Sequence, residues 1–276
     1  MFRKPTGAIL CPRCGRLTHP DAAECLVCGL QRPGRWLWAA RLGRLWRTGR
    51  FTDVVTVTCI VVYVASLLID PAGALRPQGL MGFLSPSDRA LGQLGAAGAI
   101  PWRYGHWWTL VTGIYLHGAL LHILFNVLWI RQLGPAVEEL YGQARLVIVF
   151  TLSGVLGYAL SNFVGIPFTI GASGSIFGLL GAMVAYGRKR GGSFGAMVLR
   201  QYGMWAAILF VFGLLPGTGA NNYAHAGGFV GGLAMGFVLS FEDLRRESVL
   251  ERVIAGVLVA LTALAFVLAI GSAVLG

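Results

Sequence analysis

Charged side chains are scarce in this sequence, and acidic ones are the scarcest. Asp and Glu number 11 against 22 Lys and Arg among 276 residues, and charged residues make up 12% of the chain. An ordinary soluble domain has about 25%. Hydrophobic residues instead make up 56% of the chain and occur in long runs, which predicts a membrane protein with several spanning helices.

Two further features are missing from the sequence. The apolar runs contain almost no acidic residues and no internal repeat, whereas a transporter would be expected to carry paired intramembrane carboxylates or inverted repeats. The N-terminus also lacks the apolar segment and cleavage site of a secretory signal peptide. We therefore disfavour a transporter and expect the first fifty residues to stay in the cytoplasm.

The net charge of +11 is distributed in the manner of a membrane protein. Basic residues cluster before the first apolar run and in the predicted loops 131–145, 188–200 and 244–252, while the predicted loops 165–172 and 216–223 carry no charge. Positive segments remain on the cytoplasmic side of a membrane. We expect a multi-pass protein of the cell (inner) membrane with a cytoplasmic N-terminus, an external C-terminus and no nucleic-acid partner.

Four of the five cysteines lie in the polar segment 1–34, in two C-x-x-C pairs that are each followed by glycine. The pairs are Cys11 with Cys14 and Cys25 with Cys28. Two such turns can present four thiolates to one ion, which predicts a structural zinc and a small cytoplasmic zinc-ribbon that folds around it. Disulfides or a redox pair are the alternatives, and a cytoplasmic location disfavours disulfides. The ribbon could also bind a cytoplasmic protein partner.

The remaining chain is predicted to consist of a linker and seven spanning helices. Segment 35–50 alternates Arg with Trp and Leu. It is interpreted as a basic amphipathic juxtamembrane linker, which either lies on the membrane surface or only sets the topology by its charge. Six apolar runs follow in 51–241, and a seventh follows a charged linker in 242–276. The helices are predicted at about 52–69, 107–130, 143–164, 173–187, 199–215, 224–240 and 251–274.

Two polar residues interrupt glycine-rich apolar runs at matching ends. Ser173 begins the fourth run and His225 begins the sixth, and glycines recur along both runs at about one per turn. Small residues at this spacing let two membrane helices approach closely. A serine hydroxyl is a weak nucleophile unless a base takes its proton, and His225 is the obvious base. The pattern predicts a serine nucleophile and its base inside the membrane.

A second polar pair lies in the second apolar run. His122 and Asn126 are four residues apart and therefore share one face of a helix. Polar residues within a span usually face the protein interior. Both side chains can donate hydrogen bonds to a tetrahedral intermediate, beside the backbone N–H of the nucleophile. A polar clamp between helices is the alternative.

Together these motifs resemble the rhomboid intramembrane serine proteases. The matching pieces are His122-Ile-Leu-Phe-Asn126, Leu133-Gly-Pro-Ala-Val-Glu138 ahead of Gly142, Gly171-Ala-Ser-Gly174 and Ala224-His-Ala-Gly-Gly228. The resemblance implies an all-α polytopic membrane protein. Its six-helix rhomboid core at 51–241 would be preceded by the small zinc-ribbon and followed by one extra C-terminal transmembrane helix.

The resemblance also implies roles for individual residues. Ser173 would be the nucleophile and His225 the general base of a dyad without an aspartate, and His122 and Asn126 would be the oxyanion donors. Phe177 would stack on the catalytic histidine, where the family often has tyrosine. No cofactor would be needed for catalysis.

The function implied is cleavage of the transmembrane helices of membrane-protein substrates within the lipid bilayer, as in regulated proteolysis. The alternative is a catalytically inactive rhomboid-like protein that binds membrane helices. One departure from the family concerns Thr109, which stands where an arginine often braces the first loop. That brace is either missing or supplied by Arg103.

Overall fold

The computed structural model describes residues 8–11, 16–36, 51–75, 79, 82–241 and 247–275. By its internal contacts the chain divides into two compact units, Met1–Arg50 and Phe51–Gly276. Cys14 and most of the linker predicted at 35–50 lie outside the described residues.

The first unit is small and has little regular structure in its described residues. Strands β1 (Ile9–Leu10) and β2 (Leu17–Thr18) pair in an antiparallel ladder. An isolated bridge joins Glu24 to Gln31, and a 3-10 turn covers Pro33–Trp36. The two short hairpins place three cysteines side by side.

The second unit is helical throughout its regular structure. Its helices in the described residues are, in chain order, α1 (Phe51–Ile69), α2 (Pro71–Ala74), α3 (Asp88–Gln93), α4 (Ala99–Arg103), α5 (Thr109–Thr112), α6 (Leu120–Tyr141), α7 (Gln143–Phe163), α8 (Ser173–Arg190), α9 (Gly192–Phe212), α10 (Asn222–Val238) and α11 (Val249–Leu275). Within these residues, five helices are long and apolar enough to cross a membrane, namely α1, α6, α7, α9 and α11. The all-α polytopic membrane fold is thereby confirmed.

Helices α8 and α10 lie at the centre of this bundle. α8 packs against α6, α7, α9 and α10, and α10 packs mainly against α7 and α8. α10 is only 17 residues long, and α8 ends in three basic residues, Arg188 to Arg190. Both helices are therefore shorter in their apolar part than those around them.

Two of the predicted charged loops are wrong. The segment 131–145 is helical except at Gly142, since α6 continues through Pro135 to Tyr141 and α7 begins one residue after the break. Likewise, only Gly191 separates α8 from α9 in the segment 188–200. Charged residues indicate where a helix meets the membrane surface but do not end it. Both breaks lie at glycines with positive φ, a conformation that favours glycine.

The second predicted helix begins later than expected. Residues 107–119 were predicted to be helical, but they form α5, a 3-10 turn at Gly113–Tyr115 and an extended Ala119 before α6 starts at Leu120. His122 and Asn126 consequently lie in the first two turns of α6 rather than in the middle of a span.

The loop between α1 and α6 is held by hydrogen bonds to its neighbours. Thr112 Oγ1 donates to the Gly95 carbonyl at 2.6 Å, and the backbones of Ala97 and Thr169 pair as an isolated bridge. The side chain of Arg103 is exposed. The loop therefore obtains its support from these hydrogen bonds, which tie it to the segment just before α8.

Glycines let α8 and α10 touch backbone to backbone. A Cβ atom on Gly228 would overlap the carbonyl oxygen of Gly174, and one on Gly232 would overlap that of Gly178. The two glycines of α10 are four residues apart and lie on one face of the helix. This approach brings the N-terminal ends of the two helices together.

Candidate active site

Ser173 and His225 lie in direct contact at the N-terminal ends of two central helices. Ser173 is the first residue of α8, and His225 belongs to the first turn of α10. The Oγ of Ser173 is 2.9 Å from Nε2 of His225. This is hydrogen-bonding distance, so the ring can take the hydroxyl proton as the oxygen attacks an electrophile. His225 is only 6% exposed, whereas Ser173 is half-buried, so the base is shielded from bulk solvent and the serine remains partly accessible.

The second ring nitrogen of His225 faces an asparagine. His225 Nδ1 lies 2.8 Å from Oδ1 of Asn222, and Nδ2 of Asn222 donates to the Phe210 carbonyl at 3.2 Å. Asn222 is not among the residues predicted from the sequence. Its position three residues before His225 places both on one face of α10, and this spacing is the signal that could have found it.

Phe177 fixes the plane of the imidazole. It lies on α8 one turn after Ser173, and its ring stacks on His225 with centroids 4.4 Å apart and planes inclined by 16°. Phe177 is itself buried and makes an edge-on contact with Phe210. The ring of His225 is thus held between packed aromatic side chains and the helix that carries it.

His122 borders the loop that leads into Ser173. Its Nδ1 accepts a hydrogen bond from the Gly118 N–H at 3.3 Å, so the proton is on Nε2, which can act as a donor. A Cβ atom on Gly171 would lie 2.6 Å from that Nε2. Gly171 has φ of 115°, so a side chain is disfavoured there by the backbone as well as by His122.

Asn126 lies one turn further along α6 and is buried. Its Nδ2 donates to the His122 carbonyl at 2.8 Å, which occupies one of the two amide hydrogens. The second hydrogen is available to an acceptor in the site. α6 packs against α8, so both polar side chains belong to the helix pair that contains the serine.

A buried tyrosine holds the loop before Ser173. Tyr158 Oη donates to the Gly171 carbonyl at 2.7 Å and lies 3.1 Å from the Gly113 carbonyl, and the Gly171 N–H also donates to Gly113. These hydrogen bonds set the entry of the chain into α8. The Ser173 N–H then lies in the first turn of a helix, where backbone N–H groups lack helical partners and can bind a negatively charged oxygen.

The first unit contains a candidate metal centre. The sulfur atoms of Cys11, Cys25 and Cys28 all lie within 4.8 Å of one another, and those of Cys11 and Cys28 are 3.6 Å apart. That distance is too long for a disulfide. Sulfurs bound tetrahedrally to zinc at about 2.3 Å are roughly 3.8 Å apart, so the three thiols suit this ion. Hydrogen bonds from the backbone at Val27 and Cys28 lower the pKa of the Cys25 thiol to about 7, which favours the thiolate that binds a metal.

The fold and the site together define a multi-pass membrane protein with a serine and a histidine in hydrogen-bonding contact between its central helices. The rhomboid domain model matches residues 104–242, which is half of the chain. The match begins well after the segment that holds the paired cysteines.

Curated relatives give the same result. Rhomboid protease GlpG of Salmonella typhi is 35% identical over 204 residues, covering 72% of this chain and 67% of that protein. Rhomboid protease GlpG of Salmonella choleraesuis (strain SC-B67) is 34% identical over the same length. Rhomboid protease GluP of Bacillus subtilis (strain 168) is 36% identical over 134 residues, covering 46% of this chain and 25% of that protein. The chain belongs to the rhomboid family, and its function is that of a rhomboid intramembrane serine protease.

Proposed function

We propose that this protein hydrolyses peptide bonds in the transmembrane helices of membrane-protein substrates, with Ser173 as nucleophile and His225 as general base. The observation that supports this assignment best is the 2.9 Å contact between Ser173 Oγ and His225 Nε2. A catalytically inactive helix-binding protein, the alternative, would have no use for a serine held against a buried histidine in this way.

In the proposed reaction, His225 accepts the Ser173 proton while Oγ bonds to the carbonyl carbon of the substrate. The intermediate collapses when His225 returns the proton to the leaving amine, and an acyl-enzyme remains. His225 then activates a water molecule that hydrolyses the ester and releases the second product. The Ser173 N–H, His122 Nε2–H and Asn126 Nδ2–H are the proposed donors to the oxyanion formed in each half-reaction.

We further propose how the chain is divided and oriented. Residues 1–34 form a cytoplasmic zinc-ribbon, 35–50 the juxtamembrane linker, 51–241 the protease core and 242–276 a linker with the extra helix. The charge pattern supports a cytoplasmic N-terminus and an external C-terminus in the inner membrane. By the C-x-x-C spacing, Cys14 would be the fourth ligand of the metal centre, and the ribbon would be available to a cytoplasmic protein partner.

The test is labelling by a serine-directed fluorophosphonate probe, with the purified full-length protein in detergent. We expect the wild type to be labelled and the Ser173→Ala and His225→Ala variants to remain unlabelled, because only a base-activated serine reacts with such a probe. Labelling of Ser173→Ala would place the reactive serine elsewhere. If the wild type stayed unlabelled while a GlpG relative reacted in the same detergent, the helix-binding alternative would be favoured.

A further inference from the structure

His225 makes a polar contact on each side of its ring. Nε2 faces Ser173 at 2.9 Å and Nδ1 faces Asn222 at 2.8 Å. We propose that Asn222 is a positioning residue, whose amide holds His225 in the tautomer and orientation that accept the serine proton. The site would thus function as a Ser–His–Asn arrangement. This inference rests on the proposed roles of Ser173 and His225.

The orientation of the amide is determined by its own partners. Nδ2 of Asn222 donates to the Phe210 carbonyl at 3.2 Å, and this leaves Oδ1 directed at the imidazole. A rotated amide would set its oxygen against the Phe210 carbonyl oxygen and lose that hydrogen bond. Because a carboxamide oxygen only accepts, Nδ1 of His225 must carry the ring proton. Nε2 then presents its lone pair to Ser173, as a general base requires.

Asn222 and Phe177 constrain the base in different ways. The stacked ring of Phe177 restricts the plane of the imidazole, but it selects neither the tautomer nor the rotation within that plane. The hydrogen bond to Asn222 selects the tautomer and also fixes the rotation of the ring within its plane. It also strengthens when His225 becomes positively charged during the reaction, because hydrogen bonds from a charged donor are stronger than neutral ones.

The amide is anchored by α9, a different helix from the one that carries His225. Phe210 lies in the last turn of α9, and Gly213 directly follows that helix. A Cβ atom on Gly213 would overlap Oδ1 of Asn222. Gly213 has φ of −65°, so an alanine fits its backbone, and its closest contact would be with the asparagine, followed by Ala220 Cβ at 3.2 Å. The end of α9 therefore controls the base through Asn222.

This arrangement allows two independent ways to remove the contact. Asn222→Ala deletes the amide, and Gly213→Ala displaces it while leaving Asn222 in the sequence. The first matched control is Asn221→Ala, which removes a neighbouring asparagine whose Oδ1 caps the start of α10. The second is Gly203→Ala on α9, where the nearest atom to an added Cβ is Val184 Cγ2 at 4.0 Å.

Cleavage of a model transmembrane substrate by the reconstituted full-length protein provides the kinetic measurement. We expect Asn222→Ala and Gly213→Ala each to lower kcat by about ten- to a hundredfold, a part of the roughly 10²–10⁴ that a positioned base contributes. KM and thermal stability should change little. Asn222→Asp should regain part of the lost kcat, since a carboxylate also accepts from Nδ1. Asn221→Ala should lose stability but keep kcat within about threefold, the expected behaviour of a helix cap, and Gly203→Ala should match the wild type.

Nitrogen-15 NMR of histidine-labelled protein gives a readout that a purely structural role would not change. We expect a protonated Nδ1 and an unprotonated Nε2 for His225 in the wild type, and a mixture of tautomers in Asn222→Ala. An Asn222→Ala variant with wild-type kcat would overturn the proposal, and so would an unchanged tautomer. A Ser173→Ala protein that still cleaves would instead overturn the proposed function on which it rests.

Discussion

At the scale of single residues, the two histidines of the proposed site differ in which ring nitrogen carries the proton. The hydrogen-bond partner of each imidazole determines that position. His122 accepts from the Gly118 N–H and so keeps a proton on Nε2, whereas in our proposal His225 donates to Asn222 and so keeps one on Nδ1. In the proposed site, the same type of side chain is therefore a donor at one position and a base at the other. The difference arises from one neighbour in each case.

The proposed oxyanion donors yield a prediction about rate. His122→Ala and Asn126→Ala should each lower kcat by about 10²–10³, the loss typical of one donor to a developing negative charge. KM should change little, because the charge exists only in the transition state. Kinetics on a transmembrane substrate provide the measurement. His106→Ala is the control, since its ring stacks on Trp108 in the first loop. A rise in KM alone would instead indicate a substrate-binding role.

At the scale of helices, the serine and the histidine meet only because α8 and α10 approach so closely. No side chain could occupy the face of α10 at Gly228 without displacing the backbone of α8, because an added Cβ would overlap the Gly174 carbonyl. The glycines of this face therefore have a geometric role in the site although they carry no chemistry.

Gly228→Ala should consequently impair the site without removing any reactive group. We expect labelling by the fluorophosphonate probe to slow by about 10², since a displacement of about 1 Å can cost that much in rate. Gly256→Ala on α11 is the control, because no atom lies within 4 Å of an added Cβ there. Equal labelling rates for the two variants would show that the helices can separate without affecting the serine.

Helix α11 is joined to the core by a buried ion pair. The side chain of Arg145, at the start of α7, is fully buried, and its Nε donates to Glu251 Oε1 at 2.8 Å. Nη2 donates to the other carboxylate oxygen at 3.1 Å. The paired geometry lets the carboxylate offset a charge that would otherwise be costly to bury.

Glu251→Ala should therefore destabilise the protein strongly. We expect a loss of about 3 kcal/mol in the free energy of unfolding, because the buried arginine loses both of its hydrogen bonds to the Glu251 carboxylate. Asp53→Ala, which removes an exposed ion pair with Arg131, should cost less than about 1 kcal/mol. Denaturation in mixed detergent micelles provides the measurement. Similar losses for the two variants would show that Arg145 obtains enough compensation elsewhere.

At the scale of the whole molecule, the candidate metal centre and the candidate protease site belong to separate compact units. The first unit is too small to fold on a hydrophobic core, so bound zinc would supply most of its folding energy. The second unit contains every residue that we assign to catalysis.

Removal of zinc should therefore unfold the first unit and leave the serine reactive. Treatment with a strong chelator should make residues 1–34 sensitive to protease, whereas labelling of Ser173 should stay within about twofold, since catalysis in our proposal uses no metal. A variant with Cys25→Ser and Cys28→Ser provides the comparison without chelator. A large loss of labelling in both experiments would show that the ribbon supports catalysis.

The sequence by itself determined the class of the protein, because long apolar runs and few charges are possible only for a chain that resides in a membrane. It also indicated Ser173 and His225 as candidate functional residues. A polar side chain within a glycine-rich apolar helix is costly to place in a membrane, so its presence points to a function. The sequence did not predict correctly where the helices end. Charges in 131–145 and 188–200 were interpreted as loops, although only glycines with positive φ interrupt the helices there.

Only the tertiary structure decided which groups act together. The glycine spacing predicted a close approach of the two helices, but the 2.9 Å contact between Ser173 and His225 depends on the register in which their backbones meet. The proposed role of Asn222 depends on two contacts, one with Nδ1 of His225 and one with a carbonyl of α9. That helix ends ten residues earlier in the chain. Tautomers and orientations are set by such partners, which the fold brings together from separate segments.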